Sequence, residues 1–135
     1  MNIILPGDKD YESRPSVQRK SLRINLNENI YGTFVEIGAG QEVARNFYRV
    51  GAASGTIAKS MSAYDKSFSD SIYGKEENGR YVTQNRLDKM LDHEMNLLEK
   101  RISRDKNPDK FFFVYANTVA TIDFVKKFKG HGWMG

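Results

Sequence analysis

The sequence predicts an α/β fold, with mixed α+β as the alternative: a small sheet, one long amphipathic helix and short helices. Three observations predict it. An apolar segment ending at Ile37 runs into Gly38-Ala-Gly40, and there the hydrophobic period changes from about two to about four. Residues 83–103 carry apolar side chains three or four positions apart, as in a helix with one buried face. Residues 111–116 form a short, continuous apolar run that is typical of a buried strand.

The beginning of the chain predicts an arm ahead of a single domain. Residues 1–20 are mostly polar, contain two prolines and show no hydrophobic period, which indicates a flexible arm. The whole chain has 135 residues, a length that suits one domain. We therefore expect the domain to occupy residues 21–135.

The first half of this domain predicts two strands and two short helices. Apolar and polar residues alternate over residues 22–26, which favours a strand, and a turn signal at residues 27–29 leads to a second strand over residues 30–37. A helix is expected over about residues 41–50. The spacing of apolar residues over 57–64 favours another short helix, capped by a hydroxyl just before it.

The second half contains the clearest helix and the most apolar strand. Residues 68–73 are ambiguous, and residues 74–80 predict a charged loop. The long helix over 83–103 follows, and then the apolar strand over 111–116. Residues 118–124 predict either a further helix or a loop that leaves this strand.

Composition excludes several classes of function. The chain has no cysteine and only two histidines, so disulfides, thiolate zinc sites and cysteine nucleophiles are excluded, and no metal site is expected. No stretch approaches the roughly 20 apolar residues of a membrane span, and we expect a cytoplasmic protein without membrane contact. The net charge of +4 is spread along the chain, so a nucleic-acid partner is not expected.

The glycine-rich turn is the main candidate for ligand binding. A strand that meets Gly-x-Gly and then a helix brings backbone N–H groups toward a phosphate, as nucleotide-binding α/β proteins do. A second small-residue segment, residues 52–56, also permits close approach of a ligand. The residues predicted to bind a nucleotide or another anionic small molecule are Thr33, Gly38, Gly40, Ser54, Gly55, Thr56 and Lys59.

Two enzyme motifs match this turn in part. Residues 35–40 resemble the first motif of class I S-adenosylmethionine-dependent methyltransferases, with Glu42 where that family has a third glycine. Residues 32–40 resemble the Gly-Thr-Phe-x-x-Ile opening of nicotinate-mononucleotide adenylyltransferases, but Gly38 and Gln41 stand in place of the two motif histidines. A nucleotidyltransferase-like activity and a methyltransferase therefore remain alternatives, beside a non-catalytic assembly protein in which the glycines serve packing.

Longer strings are similar to a bacterial family of unassigned function. They are residues 30–45, 53–65, 90–94, 118–120 and 131–135. Members of that family are labelled either nicotinate-nucleotide adenylyltransferase or TonB-dependent receptor, and they are several times longer than this chain. The resemblance implies that residues 21–135 are the N-terminal part of an incomplete domain. No cofactor and no catalytic residue follow from it.

Glu94 is the candidate for a buried acid or base. On the long helix it falls inside the apolar stripe, where a carboxylate is costly unless it is paired. Burial would suit a general base, whereas pairing with Arg101, or with a Lys or Arg from another element, would make Glu94 structural. We favour the structural pair and expect His93 to be solvated. A homo-oligomer is also expected, since an unfinished sheet leaves an open edge.

Overall fold

A computed structural model describes residues 15–127 and 129–135 of the chain. Within these residues, four strands form one sheet in the order β2-β1-β3-β4. Strand β1 is parallel to both β2 and β3, whereas β4 is antiparallel to β3. The strands are β1 (Ile30–Gly38), β2 (Ile57–Ala63), β3 (Phe111–Ala120) and β4 (His131–Met134). The α/β prediction is confirmed.

Four α-helices accompany the sheet in the described part of the chain. They are α1 (Val17–Asn25), α2 (Val43–Arg49), α3 (Lys66–Tyr73) and α4 (Gln84–Arg101). Three of them begin at a side-chain cap, in which an oxygen of Ser16, Asp65 or Thr83 accepts the backbone N–H three residues later. The predicted helices over 41–50 and 83–103 are thereby confirmed as α2 and α4.

The sheet has helices on both faces. On one face, Val35 and Ile37 of β1 pack with Ala116 of β3 against Leu87 and Met90 of α4, and this is the main core. On the other face, beside α2, the ring of Phe34 meets three aromatic rings, those of Phe47, Phe113 and Tyr115. The strands β1 and β3 are thus enclosed between two apolar layers, as expected for parallel strands.

The strand predicted over residues 22–26 is wrong, because this segment belongs to α1. Ser21 and Asn25, four residues apart, are the buried positions of this helix. The amide of Asn25 donates to the carbonyl oxygens of Phe47 and Gly51 at 2.9 and 2.8 Å, which ties α1 to α2. In this helix the buried positions, spaced four residues apart, are polar, so the apolar residues alone do not show the helical spacing. The helix also takes in residues 17–20 of the predicted arm, while residues 1–14 lie outside the described residues.

The helix predicted over residues 57–64 is also wrong, because β2 occupies Ile57–Ala63. In the strand, residues 57, 59, 61 and 63 share one face, and the charged Lys59 in the middle of that set hides the alternation. Residues 118–120 continue β3, so the helix proposed over 118–124 is wrong and only its loop alternative fits the segment after Ala120. No helix of the described residues is long and apolar enough to span a membrane.

Candidate ligand-binding site

The glycine-rich turn brings the end of β1 very close to β3. Gly38 has a φ of +82°, and a Cβ added to it would lie 2.2 Å from the carbonyl oxygen of Val119. A Cβ on Gly40 would lie 2.7 Å from a methyl carbon of the same valine. Real Cβ atoms do not approach this closely, so both glycines are explained by packing against β3.

The N-terminus of α2 is already occupied by a carboxylate of the chain itself. Glu36 Oε1 accepts the backbone N–H of Val43, the first residue of α2, at 2.8 Å. The Gln41 side chain donates to the carbonyl oxygens of Glu36 and Gly38, both at 2.8 Å, and holds the turn closed. A phosphate at this position would have to displace Glu36. The contacts of the turn therefore favour the packing interpretation of Gly38-Ala-Gly40 over an anion cradle.

The other predicted binding residues lie elsewhere. Ser54 and Gly55 form a 3-10 turn with Ala53, and Thr56 precedes β2 and accepts the N–H of Gly32 through its carbonyl oxygen. They lie at the amino ends of the parallel strands, roughly 20 Å from Gly38 at a rise of about 3.3 Å per residue.

Thr33 and Lys59 form a third group, because they are register partners under α4. The structure therefore does not bring the seven residues into one site, and their roles in binding stay predictions.

Glu94 is buried to 1% exposure and has two partners. The hydroxyl of Tyr73 donates to its Oε1 at 2.8 Å, and the ammonium of Lys59 forms an ion pair with its Oε2. Burial first, and then the charge of Glu94, raises the pKa of Tyr73 far above its usual range, so the phenol stays protonated and donates. His93 is exposed, with its ring edge-on to Tyr73. The arrangement supports a structural role for Glu94, whose partner is Lys59 of β2 and not Arg101 of the same helix.

We expect Lys59→Met to destabilise the protein by about 2 kcal/mol, because it leaves Glu94 buried with one neutral partner. Partial exposure of the Lys59 side chain, 37%, keeps this below the cost of losing a fully buried cation. Adding Glu94→Leu should restore part of the loss in urea unfolding, since the unpaired charge is removed. If the loss of stability in the double variant equalled the sum of the losses in Lys59→Met and Glu94→Leu, this pairing would be contradicted.

A cavity of about 630 Å³ lies at the carboxyl ends of β1, β2 and β3. The chain passes from β1 to β2 on one side of β1 and later enters β3 on its other side, so the carboxyl ends of these strands form a topological switch point. Open α/β sheets usually bind ligands at such a point. Its polar lining consists of Tyr64, Asp65, Lys66, Ser69, Tyr81, Thr118, Thr121, Asp123, Lys129 and His131. Of the predicted binding residues, only Gly38 lines it.

Hydrogen bonds within the chain engage the two carboxylates of this cavity. Asp65 caps α3 by accepting the N–H of Phe68 at 2.9 Å. Asp123 accepts the N–H groups of Lys126 and Val125, and the bond from Lys126 is the main reason why its pKa is lowered. No ion pair within the described residues involves Lys66 or Lys129. The cavity lining therefore carries two lysines without an ion pair and two carboxylates that are oriented by backbone N–H groups.

Tyr81 forms part of the cavity wall and is held from three directions. Its hydroxyl donates to Asp70 at 2.9 Å, its carbonyl oxygen accepts from the Thr118 hydroxyl at 2.8 Å, and the guanidinium of Arg86 lies 4.8 Å from its ring centroid. The bond to Asp70 is the main reason why the pKa of Tyr81 is raised. Sequence reasoning missed Tyr81 and Thr118; the one available signal for Thr118 is its place at the carboxyl end of an apolar strand.

Two solved structures share this architecture. The competence/damage inducible protein CihA from Agrobacterium tumefaciens matches with a TM-score of 0.54 at 14% identity, over 80% of this chain and 62% of that one. The competence-damaged protein (CinA) superfamily protein from Enterobacter cloacae matches with a TM-score of 0.55 at 12% identity, over 89% and 65%. The chain has a CinA-like fold. It spans less than two thirds of the length of either CinA structure.

This CinA-like fold corrects the family resemblance drawn from the sequence. The assignment to the family labelled nicotinate-nucleotide adenylyltransferase or TonB-dependent receptor is wrong, because the similarity found is in fold, to the CihA and CinA superfamily structures. No family model and no curated protein matches the sequence. At 12–14% identity the likeness concerns the fold, and it supports neither the nucleotidyltransferase nor the methyltransferase interpretation.

Proposed function

We propose that this CinA-like domain binds a small molecule carrying a phosphate or another anionic group, of nucleotide size, in the cavity at the carboxyl ends of β1, β2 and β3. The observation that carries the proposal is the position of this cavity. It opens where the connections of β1 and β3 diverge, and Gly38 and Val119, which approach each other closely, both line it.

Size and lining support a ligand with an apolar part. A volume of about 630 Å³ lies within the range of about 300–1,000 Å³ that is usual for small-molecule sites. The cavity lining includes five aliphatic residues, Ile37, Val82, Val119, Ile122 and Val125, of which the last two are exposed. These side chains suit an apolar part of a ligand, such as a nucleobase.

The two lysines of the cavity support an anionic group on that ligand. Lys66 and Lys129 line it without an ion pair among the described residues, and the two carboxylates of the lining are oriented by backbone N–H groups. The ammonium of Lys66 lies over the ring of Tyr81, 5.3 Å from its centroid, which holds this cation at the cavity wall. A phosphate between the two lysines would gain charge-assisted hydrogen bonds.

The proposal predicts thermal stabilisation by nucleotides. We expect one or more of ATP, NAD, nicotinate mononucleotide and S-adenosylmethionine to raise the melting temperature. A ligand at 100 times its Kd adds about 2.7 kcal/mol to the free energy of unfolding. Because the anion is held by lysines, the paired variant Lys66→Gln with Lys129→Gln should weaken binding by roughly tenfold or more.

The pair Lys100→Gln with Lys106→Gln is the matched control, since both lysines are exposed and neither lines the cavity. It should leave binding unchanged. A panel without any saturable shift, measured also by calorimetry, would rule the proposal out. Equal losses of affinity in this control pair and in Lys66→Gln with Lys129→Gln would mean that only net charge matters.

The open edge of β2 is the observation that favours an assembly role. Strand β2 is at one edge of the sheet within the described residues, with Ser60 and Ser62 exposed. A homo-oligomer built on this edge stays a prediction.

A further inference from the structure

Glu36 differs from the two other glutamates that are buried in the described part of the chain. The exposures of Glu36, Glu76 and Glu94 are similar, at 4%, 5% and 1%. Glu76 lies within 3.3 Å of Arg86 and 3.1 Å of Lys89, and Glu94 pairs with Lys59. No ion pair within the described residues reaches Glu36. Since a buried charge without a counter-charge is costly, this carboxylate needs an explanation.

The two oxygens of Glu36 have different surroundings. Oε1 accepts the N–H of Val43 at 2.8 Å and the side-chain amide of Asn117 at 3.2 Å. Oε2 has no hydrogen bond within the described residues. Three side-chain atoms of the described residues are fully enclosed and lack a hydrogen-bond partner: Oδ1 of Asn25, Nε of Arg86 and Oδ1 of Asn117. Glu36 Oε2 also lacks a partner but is not one of these enclosed atoms, so it borders open space.

That space is a groove of about 260 Å³ between α2 and β2, on the sheet face opposite α4. Glu36 and its register partner Ser62 line it together with Ser60, the phenol-bearing Tyr48 and the amide of Gln41. Hydroxyl and amide oxygens beside a carboxylate are acceptors for N–H donors. The groove is smaller than the roughly 300–1,000 Å³ of sites for larger ligands, and this size suits a single small group.

We propose that this groove binds a small organic cation, one ammonium or guanidinium group, with Glu36 as its counter-ion. A metal ion does not suit it, because Glu36 is its only carboxylate and no group of three or more His, Cys, Asp or Glu side chains occurs among the described residues. Arg45 also lines the groove and forms no ion pair in the described part of the chain. Its like charge weakens cation binding from the outer rim.

The test compares methylguanidinium chloride with methylurea, its neutral analogue of the same shape, by NMR titration of the 135-residue chain at constant ionic strength. We expect saturable shifts of the Val43 and Ser62 amide signals with methylguanidinium and none with methylurea. Because Glu36 supplies the charge, Glu36→Gln should weaken binding by roughly tenfold or more, while its remaining carbonyl oxygen still caps α2. Arg45→Gln should tighten binding severalfold.

Glu42→Gln is the matched control. It removes the same charge one residue before α2, from an exposed position outside the groove, and should leave the affinity unchanged. Equal responses to methylguanidinium and methylurea in the wild-type chain would overturn the proposal, and this comparison needs no variant to fold. Equal losses in Glu36→Gln and Glu42→Gln would overturn it as well.

Discussion

Replacing Gly38 by alanine is expected to destabilise the protein by about 3–5 kcal/mol, because the substitution combines two penalties. The backbone at Gly38 has a φ of +82°, which costs a residue with a side chain about 1–2 kcal/mol. The new methyl group would also lie 2.2 Å from the carbonyl oxygen of Val119, which belongs to the backbone of β3 and cannot rotate away. Relief requires the carboxyl ends of β1 and β3 to separate.

Two other glycines separate these penalties in urea unfolding. Gly51 has a φ of +81° with no atom within 4 Å of an added Cβ, so Gly51→Ala measures the conformational penalty alone. Gly32 lacks a positive φ, but its Cβ would lie 2.2 Å from the carbonyl oxygen of Phe113, so Gly32→Ala measures the contact alone. The loss in Gly38→Ala should exceed that in Gly51→Ala by the cost of the contact. Equal losses of stability in Gly38→Ala and Gly51→Ala would mean that β3 moves away from the new methyl group at no cost in free energy.

The same variant bears on the proposed ligand binding, since Gly38 and Val119 both line the cavity at the carboxyl ends of the strands. Separating β1 from β3 there changes the shape of the site. Where Gly38→Ala still folds, we expect it to bind the ligand more weakly than Gly51→Ala does. Gly51 does not line the cavity and therefore controls for lost stability.

The sequence predicts elements that carry enough buried apolar side chains at regular spacing, and it fails where the buried positions are polar. Helix α4 follows from its stripe of Leu87, Met90 and Leu98, although Glu94 is buried in the same stripe, and strand β3 follows from the apolar run at its start. In α1 the buried positions are Ser21 and Asn25, and the exposed Leu22 and Leu26 suggested a strand instead. In β2, Lys59 lies on the face toward α4, where it forms an ion pair with Glu94. The sequence of β2 alone does not show that a partner for this lysine exists on α4.

The candidate site was less predictable than the fold, for a related reason. Gly38 and Gly40 stand out in the sequence, but their spacing does not show whether they accommodate a ligand or a neighbouring strand. The answer depends on Val119, about 80 residues later in the chain, which approaches both glycines. Glu36, which belongs to the segment that resembles the methyltransferase motif, accepts the backbone N–H of Val43 at the start of α2. For the two glycines, long-range pairing with β3 decided the role.

Arg86 presents a second large effect, because its fully buried side chain joins three segments that sequence reasoning left unconnected. Its guanidinium donates to the carbonyl oxygen of Gly74 at 2.5 Å and to the hydroxyl of Ser69 at 2.8 Å, and it lies 3.3 Å from Glu76. It also lies over the rings of Tyr73 and Tyr81 at 5.5 and 4.8 Å. One side chain thus links α4 to α3 and to the loop between them.

Arg86→Met is expected to destabilise the protein by about 3–5 kcal/mol, as removal of one partner from a buried ion pair usually does. Lys89→Met is the control, since Lys89 contacts the same Glu76 from a side chain that is 40% exposed, and it should cost less than about 1 kcal/mol. Arg86→Lys keeps the charge but lacks the planar guanidinium that donates to Gly74 and Ser69 together. Its loss of stability should therefore lie between those of Lys89→Met and Arg86→Met. Unfolding in urea measures all three.

The ligand cavity provides a readout for Arg86 that overall stability does not. Arg86 does not line the cavity, yet it lies against Tyr81, which does. Arg86→Lys, if folded, should therefore weaken ligand binding severalfold by loosening this wall, whereas Lys89→Met should not. An Arg86→Lys chain with unchanged affinity would show that the bonds of Tyr81 to Asp70 and Thr118 are enough to hold the wall. Arg86 would then stabilise α3 and α4 without shaping the site.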